Sequence, residues 1–119
     1  MEPATPTALV VEDDGALRML VRVNLELEGF EVAEAATLVQ AEAALRVARP
    51  DVVLLDVHLD GHETLGLLAR LRAEGVPVAL VTGSVDAEEY RDAADDVLSK
   101  PFQPQALVAI ARRLARLDA

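Results

Sequence analysis

Cysteine is absent from the 119-residue chain. Disulfide stapling and thiolate metal sites are therefore excluded, and thiol usage says nothing about redox compartment. Basic residues are scarce: 11 Lys and Arg stand against 21 Asp and Glu, giving a formal net charge of −10. A nucleic acid or an anionic membrane needs a basic face, so neither is expected as a direct partner. The same acidity keeps a monomer soluble, and a monomer or weak dimer is expected. No apolar run approaches the roughly 18 residues of a membrane span, and the opening MEPATPTA lacks the parts of a secretory signal. A cytoplasmic protein is the resulting expectation.

What the chain does have is apolar material, 52% of its residues, enough for one core. Residues 1–119 are read as a single domain, with a loose lead over residues 1–6 that includes Pro3 and Pro6. Short continuous apolar runs at residues 8–11 (ALVV), 52–55 (VVLL) and 78–81 (VALV) fit strands buried on both faces. Residues 30–33 and 97–99 are weaker strand candidates. Helical spacing lies between the runs. Leu17, Leu20, Val21 and Leu25 share one face before Gly29. Thr37 is placed to cap a helix carrying Leu38, Ala41 and Leu45, which ends before Pro50. Leu65, Leu68 and Leu71 mark a third helix closed by Gly75, and Leu107, Ile110, Ala111 and Leu114 form the plainest amphipathic stripe. Five strands alternating with five helices imply parallel crossovers and a sheet covered on both faces.

In such folds ligands gather at the carboxyl ends of the strands. Those ends carry Glu12-Asp13-Asp14, then Asp56, then Thr82-Gly83-Ser84, and finally Lys100-Pro101. Singly, each has a plain explanation: Asp13 or Asp14 as a helix cap, Asp56 as the N-cap of the third helix, Thr82 as a strand residue, Lys100 as a solvated charge. Jointly they converge on one rim with the residue types that phosphoryl transfer requires. Two carboxylates about 4 Å apart repel by roughly 4 kcal/mol at an effective dielectric near 20, and a bound cation would offset that.

The segments LVVEDDGALR, PDVVLLDVHLDG, VPVALVTG and DDVLSKPF resemble, in order, the signature segments of the receiver domains of two-component response regulators, the CheY-like family. The resemblance implies a flavodoxin-like (βα)5 three-layer sandwich with a five-stranded parallel sheet of order 2-1-3-4-5; receivers are a standard example of that order. It implies that Asp56 is the phosphoacceptor and that Glu12, Asp13, Asp56 and the His58 backbone carbonyl hold a divalent cation, usually Mg2+. Thr82 and Lys100 match the residues that meet the phosphoryl oxygens. The implied donor is a histidine kinase or histidine phosphotransfer protein, with a downstream protein target. The implied role is a signalling phosphoacceptor rather than an enzyme, though one that turns over its own acyl phosphate. The resemblance also implies a cis Lys100–Pro101 bond.

Several positions depart from the family pattern. Val97 replaces the aromatic residue three positions before the lysine, which closes off a ring-flip readout. The stretch from Thr82 to Lys100 is about one turn short, so residues 86–93 (DAEEYRDA), with Tyr90, are expected to form a short or frayed fourth helix. Asp60 stands for a usual proline and Thr64 for a usual glycine, while Gly83 leaves room beside Thr82. His58 and Ser84 are expected to tune the lifetime of the acyl phosphate. His58 and His62 are read as solvated loop residues rather than transition-metal ligands. A chain that stops after its last helix is expected to act alone. The alternatives are a pseudo-receiver that binds a partner regardless of phosphorylation and, last, an aspartate-nucleophile phosphatase, whose D-x-D motif is broken here by His58.

Overall fold

A computed structural model describes residues 5–59, 62–83 and 87–117. Strand β1 (Thr7–Val11) leads to helix α1 (Gly15–Leu27), strand β2 (Glu31–Ala35), helix α2 (Leu38–Val47) and strand β3 (Val52–Asp56). After β3 a two-residue ladder pairs β4 (His58–Leu59) with β5 (His62–Glu63) in antiparallel fashion. Helix α3 (Leu65–Ala73), strands β6 (Val78–Gly83) and β7 (Asp96–Lys100) and helix α4 (Pro104–Leu114) complete the chain. The main sheet runs β2-β1-β3-β6-β7, with every neighbouring pair parallel. Counting only the strands of that sheet, the order is 2-1-3-4-5.

The continuous apolar runs follow from burial on both sides. Leu9, Val11, Val53 and Leu55 face one core layer with Ala41 of α2 and Leu67, Leu68 and Leu71 of α3. Ala8, Val10, Val52 and Leu54 face the other, with Val21 and Leu25 of α1 and Leu107, Val108 and Ala111 of α4. Successive strand residues point to opposite faces, so a strand between two helical layers must be apolar at every position.

Local chemistry sets most helix ends as the sequence suggests. Thr37 Oγ1 accepts from Gln40 N at 3.1 Å and caps α2. At the end of α1, Gly29 takes φ +94, and Phe30 N closes back onto Leu25 O at 3.1 Å. A side chain is strained at that φ, which is why the stop is a glycine.

Two expectations need correction. Asp56 does not cap α3: Thr64 occupies the N-cap position. Nor does the stretch before β7 make a helix, so the described residues hold four helices rather than five. Residues 87–93 form successive turns, with Arg91 N donating to Glu88 O and Ala93 N to Tyr90 O; Asp86 lies outside the described residues. So short a segment makes too few bonds to offset helix nucleation. Buried Ala87, Tyr90 and Ala94 anchor the turns instead, and Arg72 Nη1 donates to Ala93 O at 2.7 Å.

Candidate functional site

The parallel register brings the carboxyl ends of β1, β3, β6 and β7 to one rim. Val11 lies opposite Leu55, Asp56 opposite Val81, and Gly83 opposite Lys100. The residues just past each pairing, far apart in the chain, therefore share one small volume.

Glu12, Asp13 and Asp56 each contribute a carboxylate oxygen to a cluster whose members lie within 4.8 Å of one another. Glu12 and Asp56 are buried, at 4% and 6% exposure, while Asp13 is exposed. Lys100 Nζ lies between the two buried acids, 2.9 Å from Glu12 Oε1 and 3.0 Å from Asp56 Oδ2. It is the chain's one lysine. The repulsion between these carboxylates thus meets an ammonium supplied by the protein itself.

Each carboxylate is also held by backbone. Asp14 N donates to Glu12 Oε2 at 3.1 Å, and His58 N donates to Asp56 Oδ1 at 3.1 Å. Asp14 itself turns away to cap α1, accepting from Ala16 N and Leu17 N. Adjacent aspartates thus divide the work, one capping the helix and the other facing the cluster.

Burial pushes the Glu12 carboxyl up to about 7, and the neighbouring Asp56 charge adds to the rise against the hydrogen bonds from Lys100 and Asp14. Burial works against the Lys100 ammonium, but its bonds to Glu12 and Asp56 outweigh that and hold its pKa above the ordinary lysine value. Lys100 therefore stays charged, while the raised Glu12 carboxyl exchanges its proton near neutral pH.

Thr82 is 1% exposed, and its Oγ1 is buried without a hydrogen-bond partner among the described residues. Buried hydroxyls normally find partners, so an unpartnered one at this strand end is suited to an incoming acceptor. A Cβ added at Gly83 would meet nothing within 4 Å, which agrees with room beside Thr82. The Lys100–Pro101 bond is cis, as the resemblance implies.

The histidines and the departures stand as follows. The His58 side chain is exposed, and the acidic cluster involves no histidine. Ser84 and Asp60 lie outside the described residues. Val97 is partly buried against the core layer that also contains Tyr90, so the chain's one tyrosine is a packed residue.

Two residues near the site were not assigned from the sequence. Arg18 Nη1 donates to the Glu12 carbonyl at 2.8 Å and braces the β1–α1 turn. Its signal was slight, a basic residue one turn into α1. Thr64, noticed only as a replaced glycine, hydrogen-bonds the backbone of Asp56 and Val57.

Comparison with known proteins agrees with this geometry. Residues 8–112 match the response regulator receiver domain family. The DNA-binding response regulator MtrA of Mycobacterium tuberculosis is 39% identical across 99% of this chain and 54% of its own length. The phosphate regulon transcriptional regulatory protein PhoB of Pseudomonas aeruginosa is 32% identical across 92% of this chain and 52% of its own. The chain thus spans about half the length of these curated relatives. Among solved structures, the receiver domain of NtrX from Brucella abortus superposes with a TM-score of 0.84 at 31% identity, covering 93% of this chain and 99% of that one. The chemotaxis response regulator CheY4 of Vibrio cholerae gives 0.81 at 26% identity, covering 93% and 99%. The chain belongs to the response regulator receiver domain family, the receiver class of two-component signalling. Among the described residues, no helix is long and apolar enough to cross a membrane.

Proposed function

We propose that Asp56 is the phosphoacceptor of this receiver, taking a phosphoryl group from a phosphohistidine on a histidine kinase or phosphotransfer protein. The observation that carries this reading is the bonding of Asp56: Oδ1 is held by His58 N–H and Oδ2 by Lys100, at a strand end lined by Glu12, Asp13 and Thr82. Three clustered carboxylates form an oxygen donor set that suits a hard dication. Asp13 and Asp56 would hold Mg2+ directly, Glu12 through water, and the His58 backbone carbonyl would complete the protein ligands. The bound ion supplies charge neutralisation during transfer.

A carboxylate oxygen of Asp56 attacks the phosphorus, the P–N bond to the imidazole breaks with its electron pair leaving on nitrogen, and an acyl phosphate forms. Lys100 moves from the bare carboxylate to a phosphoryl oxygen, and the Thr82 hydroxyl donates to another. The product carries roughly −2 charge where −1 stood, enough to draw the end of β6 inward and bias a partner surface. Attack of water on phosphorus ends the signal.

MtrA is described as DNA-binding. A domain of net charge −10 lacks the cationic surface that DNA contact requires, so this reading gives the receiver protein partners. The test is incubation with Mg2+ and acetyl phosphate followed by intact mass measurement. Gain of one phosphoryl mass in the wild type and none in Asp56→Asn is expected. No adduct in the wild type, with or without beryllofluoride binding at the same site, would sink the reading.

A further inference from the structure

Thr64 stands at the N-cap of α3, yet its hydroxyl makes no cap bond to that helix. The side chain turns back instead. Its Oγ1 lies 2.5 Å from the Asp56 carbonyl oxygen and 3.1 Å from that of Val57, and its own N–H donates to Val57 O at 3.0 Å. The residue is 1% exposed, so these bonds form where water does not compete. Leaving the first turn of α3 without a side-chain cap is unfavourable, and the bonds to the Asp56 and Val57 carbonyls offset it.

The peptide unit that Thr64 grips has a second end. Val57 C=O and His58 N–H belong to one planar group, and that N–H is the donor to Asp56 Oδ1. Holding the carbonyl on one side therefore aims the N–H on the other. The Asp56 carbonyl, gripped by the same hydroxyl, fixes the preceding peptide. Between them these bonds set the two peptides that follow Asp56, while Lys100 holds the opposite carboxylate oxygen.

We infer that Thr64 is a positioning residue for phosphoryl acceptance: through the Val57–His58 peptide it sets the attack geometry of the Asp56 carboxylate. The inference rests on Asp56 being the acceptor. It concerns a hydroxyl that the acceptor reading itself does not use. Loss of the grip lets the acceptor carboxylate sample unproductive orientations, and small misplacements of a reacting group cost large factors in rate.

The test compares wild type with Thr64→Val, nearly isosteric but unable to donate, and Thr64→Ser, which keeps the hydroxyl. The maximal rate of phosphorylation by acetyl phosphate at saturating Mg2+ should fall about tenfold in Thr64→Val and stay within about twofold of wild type in Thr64→Ser. In Mg2+-free protein the His58 amide proton resonance should move upfield in Thr64→Val and remain in place in Thr64→Ser. That second readout needs neither metal nor phosphodonor. Should the valine variant not fold, Thr64→Gly removes the hydroxyl without burying a branched apolar group, and the same two readouts apply. A folded valine or glycine variant with a wild-type rate and an unmoved His58 resonance overturns the inference while leaving Asp56 the acceptor. A wild type that takes no phosphoryl group fails the acceptor reading, and with it the inference.

Discussion

The Lys100 ammonium lies 3.0 Å from Asp56 Oδ2 and 2.9 Å from Glu12 Oε1, so a single cation bridges two buried acids from different strand ends. Their proximity would otherwise be unfavourable by several kcal/mol, about the size of one charge–charge interaction at 4 Å in a protein-like dielectric. The metal-free site is thus held together by one ammonium.

Replacing that ammonium should therefore weaken the metal-free protein but strengthen its hold on a cation. Lys100→Met is expected to cost about 1–3 kcal/mol of stability in EDTA, the range for removing a partner from charged hydrogen bonds that remain partly solvated. Mg2+ should recover most of the loss and bind more tightly than to wild type, while phosphorylation slows. Denaturation with and without Mg2+ checks this, and weaker Mg2+ binding in the variant would count against it.

Glu12 imposes a pH dependence whose sign follows from its raised pKa. Its carboxyl titrates near 7 when folded against an ordinary 4.5, so the folded state holds this proton more tightly. Its contribution to stability is full below about 4.5 and is lost as pH rises through about 7. In EDTA, the melting temperature of wild type relative to Glu12→Gln should fall across that window. Mg2+ affinity should rise over the same range as the carboxylate ionises. A difference in melting temperature that climbs with pH would contradict the assignment.

Adjacent aspartates should give opposite phenotypes. Asp14→Ala removes the α1 cap and should cost about 1 kcal/mol while leaving Mg2+ affinity within about twofold. Asp13→Asn should weaken Mg2+ binding by about tenfold or more, well beyond the effect of Asp14→Ala. Calorimetric titration beside thermal melts separates the two, and equal effects on both readouts would defeat the division.

Thr82→Val replaces a buried hydroxyl that lacks a partner among the described residues. Because a buried unpaired hydroxyl is unfavourable, the resting protein should keep its stability or gain up to about 1 kcal/mol. Beryllofluoride should bind the valine variant less tightly, with Thr82→Ser retaining most of the affinity. A clear loss of resting stability would mean the hydroxyl already has an acceptor.

Features governed by near neighbours were legible in the chain. Thr37 caps α2 because a cap is a bond across three residues, and Gly29 ends α1 because a positive φ needs no distant partner. The runs around Val10, Leu54 and Leu80 identified strands covered on both sides, since no other strand environment tolerates unbroken apolar sequence. The stretch around Tyr90, which the sequence predicts as a short helix, forms turns. Its fate as turns depends on Tyr90 packing in the core and Arg72 reaching Ala93 O, contacts that spacing does not encode.

By itself the sequence determined the alternation of strands and helices, the acids and lysine at strand ends, and the family to which they belong, because periodicity and motif order are properties of the linear chain. Tertiary structure alone decided which aspartate caps and which faces the cluster, how Lys100 is shared between Glu12 and Asp56, and that Thr64 grips the backbone of Asp56. Those outcomes depend on distances between residues remote in sequence and on their removal from water, and both arise only when the sheet assembles.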